Sequence, residues 1–303
     1  MKITKYIIGL GIMAGTVISL PSCTDLSETV YDQVMSQNYY NTKQDVINAV
    51  FRPFEHIYES IVRRHEHEEL TGDQLITPTR GTWWYDGGKW EKYHYHQYDD
   101  INQEDWTNEW EGMYGGIGQC NLVLDDLSQL NPSKFNLSDS EFDSFKAQLR
   151  CMRAYCYLRL LNSYRNCILT TTSDQAVNEQ PENRKQVSPQ VMFDFIESEL
   201  KELVAEGISS ALPATNEYGR ASKPVAWALL ARLYLNSAVY RGNVDTKYYT
   251  ECITACKQVI SNSAFYLEPE YAKLFNADNH KRTHEILFAM VCDATTSVTW
   301  GGG

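Results

Sequence analysis

Apolar side chains recur every three or four residues through most of this 303-residue chain, the spacing that lines one face of an α-helix. Residues 43–62 place Val46, Val50, Phe54, Ile57 and Ile61 on one stripe, with Pro53 expected to kink or end the helix early. Ser138 followed by Glu141 has capping-box spacing, and Phe142, Phe145, Leu149, Met152, Cys156 and Leu160 then follow on one face. Ser188-Pro189 joins an N-cap residue to proline at the first helical position. It opens a helix that presents Met192, Ile196, Leu200 and Leu203 and is expected to stop at Gly207. Residues 222–240 mix Ala226, Ala228 and Ala231 with Leu229, Leu230 and Leu233, and small residues among large ones let neighbouring helices come close, as in stacked helical hairpins. A last helix is expected over about 247–261, presenting Tyr249, Cys252, Ile253, Cys256 and Val259. The fold class is therefore mainly α. No residue-level repeat marks a solenoid, so stacking rests on the succession of helices alone.

One stretch breaks the pattern. From Thr79 to Tyr114 the helical stripe is lost, and ten of these 36 residues are aromatic, against 12% for the whole chain; five of the seven tryptophans fall here. A long irregular stretch in a helical domain is more often functional than accidental. Its centre is TRGTWWYDGGKW, residues 79–90. Aromatic faces stack on the C–H faces of sugar rings, while Asp, Arg and Asn hydrogen-bond to hydroxyls. One stacked ring hides apolar area worth on the order of 1–2 kcal/mol, so several are needed to hold a chain. Trp83, Trp84, Tyr85 and Trp90 are the candidate platform, with Arg80, Asp73 and Asp86 as candidate polar partners. The glycines keep the loop tight. At any single tryptophan the competing reading is a ring that merely plugs the loop onto the helices. Gly115-Gly116-Ile117-Gly118 lacks the Lys-Ser/Thr of a P-loop and is expected to be a loop-to-helix junction.

The N-terminus is of another kind. Lys2 and Lys5 precede an apolar run from Tyr6 to Leu20, about 15 residues, which suits a signal-peptide h-region better than a membrane span. Leu20-Pro21-Ser22-Cys23 follows, and a small residue directly before a cysteine resembles a bacterial lipobox. Residues 1–22 are then expected to be a lipoprotein signal peptide, and Cys23 the acylated first residue of a helical domain over 23–303. Acyl chains contribute about 0.8 kcal/mol per buried CH₂, enough when several are present to anchor the protein without a spanning helix.

Composition narrows the chemistry. A formal net charge of −12 and the lack of clustered Lys and Arg argue against nucleic acid. Seven cysteines beyond Cys23 sit mostly at helical spacings, as Cys151/Cys156 and Cys252/Cys256 do, and suit free core thiols better than a disulfide framework. His65-Glu66-His67 and His94/His96 place histidines two apart, which is not the zincin spacing, and neither pair has an obvious third ligand; no metal or other cofactor is expected. No Gly-x-Ser-x-Gly elbow occurs, and no pair of carboxylates stands out as a glycosidase couple. The expectation is binding without catalysis.

With these pieces in place the chain resembles the SusD/RagB family of nutrient-binding lipoproteins of Bacteroidetes. The resemblance runs over the lipobox at Cys23, GDQLITPTRGTWWYDGGKW at 72–90, LRCMRAYCYLRLLNSYRNCIL at 149–169, GRASKPVAWALLARLYL at 219–235 and LFNADNHKRTHEILFAM at 274–290. It implies a fold of tetratricopeptide-like helix pairs. It also implies an outer-membrane, surface-exposed lipoprotein that captures oligosaccharide and hands it to a SusC-like TonB-dependent transporter. In glycan-binding members the loop matching 79–90 helps form the platform, which supports that role for Trp83, Trp84 and Trp90. Two departures stand out. After Tyr164 the family usually continues with Gly and Pro, whereas Arg165-Asn166-Cys167 follows here, and family members are considerably longer, so the chain is expected to be the N-terminal portion of such a protein. Three alternatives stay open: a family member that binds peptide or another nutrient, a helical-repeat scaffold that binds only protein, and a surface glycoside hydrolase. The last needs two carboxylates roughly 5–9 Å apart across a cleft.

Overall fold

A computed structural model of the chain describes residues 39–174, 184–206, 211–215 and 217–291, without the side chains of 59–67. Cys23 and the signal segment, Gly207, and the side chains of Ile61, His65 and His67 lie outside the described residues. The first long helix, α1 (Lys43–Thr71), begins with a reciprocal cap: the Asp45 N–H donates to the Thr42 hydroxyl at 3.2 Å, and the Thr42 N–H donates to the Asp45 carboxylate at 2.8 Å. The helix continues through Pro53 to Thr71, so the expected early end does not occur there. Proline there forfeits one bond to the Ala49 carbonyl. Val46, Val50, Phe54 and Ile57, all at most 2% exposed, bury an apolar stripe that outweighs that loss.

Two helices begin within the aromatic segment, α2 (Lys89–His94) and α3 (Gln103–Gln129). The aromatic stretch is therefore helical from Gln103 onward, and Gly115 to Gly118 lie inside α3 rather than at its start. A helical glycine is needed here because α1 lies so close. A Cβ on Gly116 would meet Ile57 Cγ1 at 2.7 Å, and one on Gly115 would meet His56 Nε2 at 2.5 Å. Close helix approach, not a loop, explains Gly115 and Gly116, while a Cβ on Gly118 would meet nothing within 4 Å.

Ser138 and Glu141 form the expected capping box at the start of α4 (Asp139–Tyr164), whose predicted stripe is fully buried. The backbone N–H and hydroxyl of Ser138, with the Lys43 ammonium, hold the Glu141 carboxyl down at about 2. Two short antiparallel strands follow, β1 (Cys167–Ile168) and β2 (Gln186–Val187). Ser188 then caps α5 (Pro189–Val204) by accepting the Val191 N–H, and Met192, Ile196, Leu200 and Leu203 are buried as expected. The segment 222–240 is two helices, α6 (Lys223–Leu235) and α7 (Ser237–Arg241), divided at Asn236.

The last described α-helix is α8 (Thr246–Ile260). Its inward residues are Tyr248 and Ala255, with Cys252, Cys256 and Val259 half-buried, while Tyr249 and Ile253 face solvent. The expected stripe is rotated because α8 packs chiefly on α6, with Tyr248 stacked on Tyr234 and the Cys252 thiol donating to the Ala231 carbonyl. Each long helix packs on the next: α1 on α3, α3 on α4, α4 on α5, α5 on α6, α6 on α8. Arg153 on α4 ties three of them together through Asn121 of α3 at 2.8 Å and Glu199 of α5 at 2.8 Å. The described cysteines are free thiols, and burial pushes those of Cys120, Cys151 and Cys167 up to about 12.

Candidate glycan-binding site

The aromatic loop occupies the link between α1 and α3. Gly72 ends α1 by donating to the Glu68 carbonyl at 2.9 Å, and Asp73 follows with φ 56. Arg80 and Trp83 exchange both backbone hydrogen bonds, each 3.1 Å, around a two-residue turn in which Gly81 takes φ 66. The Thr79 hydroxyl donates to the Trp84 carbonyl at 3.3 Å and closes the loop from the other side. Asp73, Trp84, Asp86 and His96 are four of the six described non-glycine residues with left-handed φ. Such residues cost on the order of 1–3 kcal/mol each and cluster at sites where geometry matters.

Trp90 is the best-braced ring. Its indole N–H donates to Asp86 Oδ2 at 2.6 Å, Lys89 Nζ lies 5.1 Å from its ring, and Trp84 meets it edge-on at 5.9 Å. Lys89 is in turn fixed by Asp105 of α3 at 2.7 Å, and the Tyr93 hydroxyl also donates to Asp105. Tyr93 itself is wholly buried. The rigid helix α3 thus carries the platform through α2. Further along the link, the Lys92 ammonium 2.5 Å from Asp99 holds that carboxyl below its usual range.

Arg80, Trp83, Trp84 and Trp90 line one cavity of about 610 Å³, together with Leu70 and the Leu75–Pro78 strip. Trp83 is 76% exposed and Trp84 59%, so these rings are not spent on the core. Arg80 is the one charged residue lining the cavity among the described residues. The other three candidates are elsewhere. Asp73 pairs with His94 Nδ1 at 2.7 Å, Asp86 holds the Trp90 indole, and Tyr85, 55% exposed, stands outside the cavity. Asp86 therefore braces a ring of the cavity rather than lining it, and Asp73 pairs with a histidine outside it. Leu75, Ile76 and Pro78 were not singled out in the sequence. Their signal is an apolar Leu75-Ile76 pair stranded after the helix ends, with Ile76 left 77% exposed.

A second cavity of about 340 Å³ adjoins the first, sharing Leu70, the Leu75–Pro78 strip and Trp90, and adding Thr79, Glu91, His94 and Tyr95. The His94 and Tyr95 rings meet at 4.8 Å, and His96 Nε2 lies 3.0 Å from the Thr71 carbonyl.

The SusD-like family described as "starch-binding associating with outer membrane" matches residues 57–235. The starch-binding protein SusD of Bacteroides thetaiotaomicron is 29% identical over 189 residues, which cover 61% of this chain and 31% of that protein. This chain thus spans about a third of that relative's length. Among solved structures, a laminarin-binding SusD-like protein superposes with TM-score 0.64 at 18% identity, covering 82% of this chain and 51% of its own. A SusD homologue from Bacteroides thetaiotaomicron gives 0.62 at 18%, covering 79% and 44%, and surface glycan-binding protein A from Bacteroides uniformis gives 0.62 at 16%, covering 78% and 50%. These likenesses establish the fold. With the family match spanning more than half of the sequence, the chain belongs to the SusD-like family, and its mainly helical architecture is the SusD-like fold.

Proposed function

We propose that this protein binds a glycan on the aromatic loop at 79–90 and catalyses no reaction on it. The observation that carries the reading is the pair of exposed rings, Trp83 and Trp84, set with braced Trp90 and cationic Arg80 around one cavity of about 610 Å³. Two or three stacking faces and a fork of guanidinium donors are what a short run of sugar rings requires. Asp86 serves as a positioning residue through Trp90, and Tyr85 as a peripheral ring. Relatives named for starch and laminarin binding support a glycan ligand. In this reading residues 1–22 are a signal peptide, Cys23 is acylated, and the domain sits on the outer face of the outer membrane. There it captures oligosaccharide and delivers it to a SusC-like TonB-dependent transporter.

The test is affinity electrophoresis of the chain through gels containing starch, laminarin, xyloglucan and further polysaccharides. At least one should retard the wild type, and Trp83→Ala and Trp84→Ala should run free in that gel. A wild type retarded by none overturns the glycan reading for this chain, and release of shortened oligosaccharide from any gel overturns the absence of catalysis.

A further inference from the structure

The second cavity has no role in that reading, and it is built from different chemistry. Where the first offers indole faces and Arg80, the second offers a carboxylate (Glu91), an imidazole (His94), a hydroxyl (Thr79) and the phenol ring of Tyr95. At about 340 Å³ it falls within the ordinary range for a small-molecule site. Its polar edge is held in place: Asp73 Oδ1 sits 2.7 Å from His94 Nδ1, and the His94 ring packs against Tyr95 at 4.8 Å. Tyr95 remains 60% exposed, a ring presented to solvent beside a fixed imidazole. The two cavities adjoin: they share the Leu75–Pro78 strip and half-buried Trp90, so Trp90 presents apolar surface to both.

We propose that the second cavity is a second sugar subsite, in which Tyr95 stacks on a ring and Glu91, His94 and Thr79 bond its hydroxyls. The preferred ligand is then an oligosaccharide long enough to pass from Trp83 and Trp84 over Trp90 to Tyr95, and not a disaccharide or a single terminal unit. This rests on the glycan reading of the first cavity and deepens it to a length preference.

The experiment is calorimetric titration of the whole chain with maltose and maltoheptaose, and with laminaribiose and laminariheptaose, comparing wild type, Tyr95→Ala and Trp83→Ala. In the series that binds, the heptasaccharide should bind wild type at least about tenfold more tightly than the disaccharide. Tyr95→Ala should remove most of that advantage and leave disaccharide affinity within about twofold, whereas Trp83→Ala should weaken both lengths. Tyr95 is exposed, so its loss leaves the fold intact. Equal affinity for the two lengths, or a heptasaccharide affinity untouched by Tyr95→Ala, overturns the second subsite while leaving the glycan reading standing. If neither series binds, the same titration is run with the oligosaccharides of whichever polysaccharide retards the wild type in the gels. A wild type that binds no glycan at all removes both.

Discussion

Trp83 and Trp84 belong to the same aromatic-rich stretch as Trp106 and Trp110, yet the two pairs do opposite work. Trp106 and Trp110 are four apart on α3, so both fall on one face and pack inward. Trp110 meets Tyr114 at 4.7 Å and Tyr164 at 5.0 Å, and Trp106 meets Tyr98 at 5.4 Å. The Tyr164 hydroxyl also donates to the Trp106 carbonyl at 2.5 Å. Trp83 and Trp84 are neighbours in a tight turn, where no helical period can bring both to the core. They stay exposed, held by a left-handed Trp84 and the Arg80–Trp83 bonds. Two exposed indoles, one of them on strained backbone, oppose stability, whereas two on a helix face add to it. Aromatic content alone does not separate a candidate platform from core packing; the absence of a helical period does.

The sharpest way to break this contrast is Trp110→Ala. Removing a half-buried indole from the α3–α4 seam should cost about 3 kcal/mol, a fall of roughly 6–12 °C in melting temperature, while retardation by the bound polysaccharide stays at the wild-type level. A variant that melts normally but loses retardation would move Trp110 into the site. Next in size is Gly116→Ala, whose Cβ collides with Ile57 at 2.7 Å. Overpacking should outweigh the gain in helix propensity and lower stability by about 1–2 kcal/mol in urea unfolding, because α1 and α3 must move apart. A Gly116→Ala variant as stable as wild type would mean that α1 tolerates a wider seam than the glycine implies.

On the exposed side, Trp83→Ala and Trp84→Ala should each lose about 1–2 kcal/mol of glycan affinity, roughly a five- to thirtyfold rise in Kd, with the melting temperature unchanged. Calorimetry and thermal melts on the same samples separate the outcomes. A drop in melting temperature for either variant would show that the ring supports the fold after all.

Much of the fold was legible because its signals are local. Ser138 and Glu141 cap α4 through groups three residues apart, and Ser188-Pro189 starts α5 by the same short-range logic. What was not legible depends on partners distant in sequence. Pro53 reads as a break until Val50, Phe54 and Ile57 are seen buried around it, and Gly116 reads as a loop until Ile57 presses against it. The same division holds at the site. Aromatic residues without a helical period point to Trp83, Trp84 and Trp90 as candidates. That Asp73 turns to His94, or that Leu75 to Pro78 form a wall shared by two cavities, follows only once α1 and α2 lie side by side.

The smallest expected effect concerns strain outside the site. Arg165 ends α4 at φ 62, ψ −64, and the Asn166 N–H donates to the Tyr164 carbonyl at 2.7 Å, which makes a γ-turn of the rare, strained hand. Glycine takes such a φ without a Cβ penalty. Part of the relief is offset by the greater freedom of glycine in the unfolded chain. Arg165→Gly should still raise stability, by about 1 kcal/mol in urea unfolding, and leave glycan affinity alone. The left-handed residues around the cavity should respond differently. At Trp84 the same change to glycine relieves strain but deletes a stacking ring, so any gain in stability comes with lost binding. If Arg165→Gly also weakened retardation, the strain at the end of α4 would be part of how α3 holds the platform, and the line drawn between the two tryptophan pairs would have to move.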